Sequence, residues 1–255
     1  MKTPSFRLDG KRALVTGGSK GIGLAAAYAL VQAGAQVVIA ARNAPELIVA
    51  SADIIRASGS SDTKVSHCVV DVLDSSAVDQ LFQSHGVFDI VVNNAGTNRP
   101  KLIEDSSDED LDAVIDLNVK AAFYVLRAAA KSLKAARKSG SLINISSQMG
   151  HVGGPKRAMY CASKHAIEGM TKALAWELGG HGIRVNSLCP TFIETEMTAS
   201  MLADPDFRAL VTSKIALGRV GKLEDIMGGI VFLASDASSL MTSSALMLDG
   251  GWTAS

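Results

Sequence analysis

Short runs of consecutive apolar residues alternate with longer stretches of helical periodicity from one end of this 255-residue chain to the other. The runs are Ala13 to Thr16, Gln36 to Ala41, Val65 to Val70, Asp89 to Asn93, Ser141 to Ser146, Arg184 to Leu188 and Ala245 to Leu248. A strand that is apolar throughout, rather than at every second position, buries both faces, which calls for a parallel sheet covered by helices on each side. Helical patterns over Gly21 to Ala33, Pro45 to Ser58, Ser75 to Ser84, Ser107 to Ala136, Met159 to Leu178 and Leu223 to Ala234 supply that cover. Right-handed crossovers wind such a series into a Rossmann-type three-layer α/β/α sandwich with a seven-stranded parallel sheet. No Pro- or Ser-rich linker and no fixed repeat interrupts it, so residues 1–255 are expected to form a single domain. Ser106 and Glu109 have capping-box spacing for the long middle helix, and Pro45 suits a first helical turn.

Lys plus Arg equal Asp plus Glu at 25 each, which leaves no net field to draw in nucleic acid or an anionic membrane. No basic segment followed by an apolar one opens the chain, and the most apolar stretch, residues 25–41, is broken by Gln32, Gly34 and Gln36. A cytoplasmic location is expected. Cys68, Cys161 and Cys189 form no even disulfide framework and show no metal-ligand spacing, as expected of buried thiols in a reducing compartment. His67, His85, His165 and His181 show none either and read as structural, so no metal is expected.

The stretch VTGGSKGIG, residues 15–23, follows the first strand and opens the first helix. A nucleotide pyrophosphate rests well there, on exposed amides and the positive helix end. Gly17, Gly21 and Gly23 permit the turn and the close approach, in a G-x-x-x-G-x-G spacing that differs from the common G-x-G-x-x-G. NAD sites usually place an acid at the end of the second strand to bond the adenosine ribose. Here no Asp or Glu occurs from Leu24 through Pro45, while Arg42 follows that strand and Lys20 lies in the loop. Two cations without a nearby acid favour a 2′-phosphate, and hence NADP(H) over NAD(H).

Tyr160 and Lys164 stand at i and i+4 of a helix and share one side of it. A phenol is a poor acid or base at neutral pH until a neighbouring cation lowers its pKa, which is the part read here for Lys164. Ser147 ends the apolar strand SLINIS, where parallel sheets present residues to a crevice. Adjacent Ser146 is its rival, since strand alternation turns only one of the two fully inward. Asn118 falls on the apolar helix face of Val114, Ile115, Ala122 and Val125, where an amide needs a partner.

Together TGGSKGIG (16–23), NNAG (93–96), Asn118, NISS (144–147), YCASK (160–164) and CPTFIET (189–195) resemble the short-chain dehydrogenase/reductase family, classical type, over about Leu8 to Trp252. The resemblance implies that Tyr160 is the general acid/base, that Ser147 orients the substrate oxygen, and that Lys164 binds the nicotinamide ribose and acidifies the tyrosine. Asn118 would hold a water linking Lys164 to solvent. Ser19, Lys20 and Ile22 would complete the phosphate loop. Asp71 and Val72 would flank the adenine, Asn94, Ala95 and Gly96 the nicotinamide ribose, and Pro190, Ile193 and Thr195 the nicotinamide end. Asn93 would prop the sheet. Thr191 departs from the Gly that many members carry after this Pro.

The substrate walls are expected in residues 148–159 and in a lid over residues 192–217, where Met197, Met201, Leu202, Pro205 and Phe207 occur. Gln148, His151, Thr191, Phe192 and Met197 are the candidate substrate contacts. The expected activity is hydride transfer between NADP(H) and a small ketone, keto ester or sugar-type polyol. A 3-oxoacyl-(acyl-carrier-protein) reductase is the alternative, disfavoured because only Lys138 offers a basic docking residue near the AWELGGHGIR helix end. A cofactor-sensing protein without catalysis is the reading from another class; binding alone does not require Asn118, Ser147, Tyr160 and Lys164 together. By the same resemblance the partners are a small molecule and three further copies, joined through helices 107–136 and 159–178 and the C-terminal LMLDGGWTAS, with no nucleic acid and no membrane.

Overall fold

In the computed structural model, which describes residues 1–58 and 65–254, the strands are β1 (Arg12–Thr16), β2 (Gln36–Ala41), β3 (Val65–Val69), β4 (Ile90–Asn93), β5 (Gly140–Ile145), β6 (Ile183–Pro190) and β7 (Ala245–Leu248). The helices are α1 (Gly21–Gln32), α2 (Ala44–Ser58), α3 (Ser75–His85), α4 (Asp108–Ile115), α5 (Ala121–Ala135), α6 (Ala158–Gly179), α7 (Glu196–Leu202), α8 (Pro205–Ser213) and α9 (Leu223–Ala234). Ser255, the last residue of the C-terminal stretch singled out above, lies outside the described residues.

All seven strands join one parallel sheet in the order β3-β2-β1-β4-β5-β6-β7. Successive residues feed opposite faces of it. Ala13, Val15, Ile90, Val92, Ile143 and Ile145 enter the core shared with Leu30, Leu47 and Ile230, whereas Leu14, Val91 and Leu142 enter the core of Val125, Leu126 and Leu178. This is why both parities of these strands are apolar. β3 departs from that pattern: as an edge strand bonded to β2 alone, it leaves Ser66, His67 and Val69 exposed.

The long helix expected over 107–136 is interrupted. A π-helical turn, Asp116–Lys120, separates α4 from α5. Its capping box uses Ser107 and Asp110 rather than Ser106 and Glu109: the Ser107 hydroxyl accepts from the Asp110 amide at 3.3 Å and the Asp110 carboxylate accepts from the Ser107 amide at 3.3 Å. Ser106 lies one residue ahead of the N-cap, and its hydroxyl donates to the Leu102 carbonyl at 2.9 Å. Pro45 sits in the first turn of α2 as expected.

Residues 192–217 fold into α7 and α8 over a small core of their own, in which Leu202, Val211, Ile215 and Val220 pack with Phe192, Phe207 and Trp252. Among the described residues, no helix is long and apolar enough to cross a membrane.

Burial predicts sharply different costs for two strand substitutions. Ile143→Ala, at 0% exposure, should lower unfolding stability by about 2–5 kcal/mol. Val69→Ala, at 55% exposure on the edge strand, should change it by no more than about 0.5 kcal/mol in denaturant titrations of the same protein.

Candidate active site

The strand order reverses at β1, which pairs with β2 on one side and β4 on the other. Crevices open beyond the carboxyl ends of strands at such a point. A cavity of about 760 Å³ lies there, within the ~300–1,000 Å³ usual for small-molecule sites. Gly17, Ser19, Lys20, Gly21, Ile22 and Arg42 line one end of it. Asn94, Ala95 and Gly96 line the middle, and Ser147, Tyr160 and Lys164 stand in the wall with Pro190, Ile193 and Thr195.

At the glycine loop the backbone itself forms the wall. Gly17 has φ +62° and a Cβ there would lie 2.9 Å from the Asn94 amide nitrogen; a Cβ on Gly23 would collide with the Gly17 carbonyl. Gly23 therefore closes the turn from behind and does not face the cavity. Asn94 fastens this loop, donating to the carbonyls of Thr16 at 3.0 Å and Gly17 at 3.1 Å. The N-cap of α1, Lys20, makes no side-chain capping bond, and no acid occupies the first turn. The free amides and positive helix end fit a pyrophosphate.

The ribose end carries a correction. Glu46, one residue beyond the acid-free stretch, lines the cavity, accepts from the Ser19 hydroxyl at 3.1 Å and lies 3.6 Å from the Lys20 ammonium. Glu196 approaches Lys20 to 3.4 Å, and these carboxylates hold the lysine pKa above its ordinary value. Lys20 is thus neutralised in place, because the turn into α2 swings Glu46 back over the loop. Arg42 is exposed and forms no ion pair among the described residues. Val72 lines the cavity; Asp71 is not in its lining and accepts from the Leu73 amide at 3.0 Å.

At the far end, β5 stops at Ile145, so strand alternation no longer governs the two serines, and both line the cavity. Ser147 donates to the Gln148 side-chain oxygen at 2.9 Å and accepts from the Met149 amide at 3.1 Å, which fixes its hydroxyl at the head of a 3₁₀ turn. Lys164 is buried; its ammonium donates to the Ile145 carbonyl at 2.9 Å and lies 5.6 Å from the Tyr160 ring centre. Burial pulls the Lys164 pKa down to about 8.

The Tyr160 hydroxyl moves opposite to the sequence expectation. Desolvation by the cavity walls raises its pKa, partly offset by a hydrogen bond with Ser147 and by the positive charge of Arg157. The positive charge that offsets this rise is that of Arg157, three residues earlier at the N-cap of α6, while the Lys164 ammonium bonds the Ile145 carbonyl.

Asn118 sits in the π-helical turn and does not line the cavity. Its oxygen accepts from the Thr97 amide at 2.8 Å, and its nitrogen donates to the Thr97 carbonyl and the Ser163 hydroxyl, both at 3.0 Å. It clamps the 94–98 segment onto α6. Asn93 is buried behind the site, bonded to the Ala122 carbonyl and the Asn144 side chain, and props the sheet.

A family model described as enoyl-(acyl carrier protein) reductase matches residues 17–253. The chain is 39% identical over 254 residues to gluconate 5-dehydrogenase of Gluconobacter oxydans, covering 98% of this chain and 97% of that one. It is 38% identical to a 3-oxoacyl-(acyl-carrier-protein) reductase of Thermotoga maritima, covering 96% and 99%. The solved structure of a gluconate 5-dehydrogenase from Burkholderia cenocepacia, in complex with NADP and tartrate, superimposes with a TM-score of 0.91 at 34% identity over 98% of both chains. The chain belongs to the short-chain dehydrogenase/reductase family. It is an oxidoreductase of that type.

In this dehydrogenase/reductase the candidate substrate contacts divide. Gln148, Thr191, Phe192 and Met197 line the cavity; His151 does not. His151 points instead to a buried pair behind the wall, 3.7 Å from the Glu168 carboxylate and 3.5 Å from the Cys189 sulfur. Ligand atoms of these three lie within 4.8 Å of one another, a grouping invisible to spacing because β6, α6 and the 3₁₀ turn supply one each. Hydrogen bonds from Ser187 at 2.8 Å and Cys189 at 3.4 Å satisfy Glu168, and burial with the adjacent carboxylate pushes the Cys189 thiol up to about 12. Cys189 is the buried thiol expected; Cys68 and Cys161 are only half-buried. Sequence reasoning passed over Arg157 and Glu46; Arg157 caps α6 three residues before Tyr160, just outside the helical periodicity.

Proposed function

We propose that the protein is an NADP(H)-dependent carbonyl reductase and alcohol dehydrogenase acting on a small polar ketone, keto ester or sugar-type polyol. The observation that carries this reading is the convergence of Ser147, Tyr160 and Lys164 on one cavity whose other end is the glycine loop. Bound there, NADP(H) supplies or accepts the hydride at its nicotinamide. Gly17, Ser19, Gly21 and Ile22 would hold its pyrophosphate, Arg42 its 2′-phosphate, Val72 its adenine side, and Asn94 to Gly96 with Pro190, Ile193 and Thr195 its nicotinamide half.

In reduction, the Ser147 hydroxyl turns its hydrogen from the Gln148 side chain to the carbonyl oxygen, and Tyr160 donates its proton to that oxygen as the carbon is reduced. Arg157 and the Lys164 ammonium stabilise the phenolate left behind. Asn118 acts by positioning: its clamp on Thr97 and Ser163 sets the distance between the nicotinamide-side loop and α6. In oxidation the same groups work in reverse.

Residues 192–217 serve as the substrate cover, with Phe192 and Met197 facing the cavity. A carrier-bound acyl substrate is less well supported, because Lys138 is engaged by Asp89 at 3.6 Å. We place the enzyme in the cytoplasm as a tetramer built on α4, α5 and α6, whose Phe123 and Trp176 are 45% and 87% exposed in the single chain.

Tyr160→Phe should lower kcat for ketone reduction by about 10²–10⁴ while NADPH binding, followed by fluorescence, persists. The pH profile tests Lys164 separately. With its pKa at about 8, the ammonium is present below that pH and lost above it, so kcat/KM for reduction should be level at lower pH and fall through about 8. A limb appearing only beyond ~10 would transfer that control to the phenol. Cofactor choice is read from paired variants: Arg42→Ala should raise the NADPH KM by about tenfold or more with little change for NADH, and Glu46→Gln should shift preference further toward NADPH.

A further inference from the structure

One buried cation in the substrate wall narrows the choice of substrate. Arg157 is only 7% exposed and lines the cavity beside Ser147 and Tyr160. No carboxylate pairs with it among the described residues. Among the described residues its Nη1 has no hydrogen-bond partner and its Nη2 reaches only the Met201 thioether, at 3.1 Å; the Phe192 ring lies 6.0 Å from the guanidinium carbon. A thioether is a weak acceptor. Desolvation lowers the Arg157 pKa, yet a guanidinium remains charged at any working pH. A buried charge without a counter-ion is costly, and its neutralisation is the usual way such a site becomes stable.

The local backbone is built to turn this side chain inward. Lys156 adopts the left-handed region at φ +60°, which leaves Pro155 and Lys156 exposed and Arg157 buried. Arg157 is also the N-cap of α6, whose first turn holds no acidic residue, so the positive helix end adds to its field. Three further buried polar atoms on the cavity wall lack hydrogen-bond partners among the described residues: the hydroxyl oxygens of Ser146 and Thr191 and the Asn98 side-chain oxygen. A hydrophobic ketone would leave all of these unsatisfied.

We infer that Arg157 is the anchor for a carboxylate on the substrate, so that this enzyme prefers hydroxy acids and keto acids to neutral polyols and ketones. The carboxylate takes the place beside the guanidinium that Met201 now borders, and Thr191 and Asn98 serve hydroxyl groups of the same molecule. The Phe192 ring stands 6.0 Å from the guanidinium carbon, and arginine binds carboxylates through two parallel hydrogen bonds. This inference rests on the carbonyl reductase reading above.

Titration calorimetry on the NADP⁺-loaded protein tests it with matched pairs, tartrate against threitol and gluconate against sorbitol. The acids should bind at least about tenfold more tightly than the neutral polyols. Arg157→Gln should erase that difference, and Arg157→Lys, which keeps the charge without the fork, should retain part of it. Equal binding of acids and polyols, no binding of either acid, or a preference that survives Arg157→Gln would each overturn the anchor. If Arg157→Gln does not fold, the wild-type comparison and Arg157→Lys decide. Reduction of neutral butane-2,3-dione by NADPH, measured in parallel, reports on the reductase reading alone: its absence counts against that reading, while the acid preference is answered by binding.

Discussion

The parallel pairing of β1 with β4 is the constraint on which the site depends. Strands added after β1 run one way and those from β4 the other, so the loops beyond Thr16 and Asn93 diverge and leave a crevice. That gap is held by half-buried hydrogen bonds: the Thr16 hydroxyl accepts from the amides of Asn94 at 3.0 Å and Ala95 at 3.2 Å, and Asn94 donates back to the Thr16 and Gly17 carbonyls. With one wall tied to the other, the glycine loop keeps its left-handed turns and its free amides.

The second wall is one face of α6. Tyr160 and Lys164 lie in its first two turns and Arg157 caps its start, and the fold gives the three different electrostatic surroundings. Lys164 is desolvated but bonded to the Ile145 carbonyl; Tyr160 is desolvated beside Ser147; Arg157 is desolvated with Nη1 unpartnered. Asn118 ties this face to the opposite wall through Ser163, whose hydroxyl also donates to the Tyr160 carbonyl at 2.8 Å. The cavity thus lies between rigid elements, while α7 and α8 pack on a separate small core at its mouth.

Much of the fold was legible because its signal is local. Continuous apolar runs identified all seven strands, since each parity of β1, β4 and β5 meets a different core. β3 shows the limit of that inference: its residues resemble those of a central strand, yet edge position leaves them exposed. The break at Asp116–Lys120 was not legible, because helical periodicity runs through it and the π turn is stabilised by Asn118 reaching Thr97, a contact between distant segments. For the same reason His151, two residues beyond cavity-lining Met149, lies outside the cavity against Glu168 and Cys189.

Sequence by itself determined the layer architecture, the glycine loop, and the placement of Tyr160 and Lys164 on one helix face, since each rests on spacing within a single element. Only the tertiary structure decided which charges meet. Glu46 folds back onto Lys20, Glu168 and Cys189 meet His151, and Arg157 stands beside Tyr160 with no carboxylate partner among the described residues. Electrostatic character depends on distance and solvent access among residues far apart in the chain, and those quantities come into existence when the layers pack.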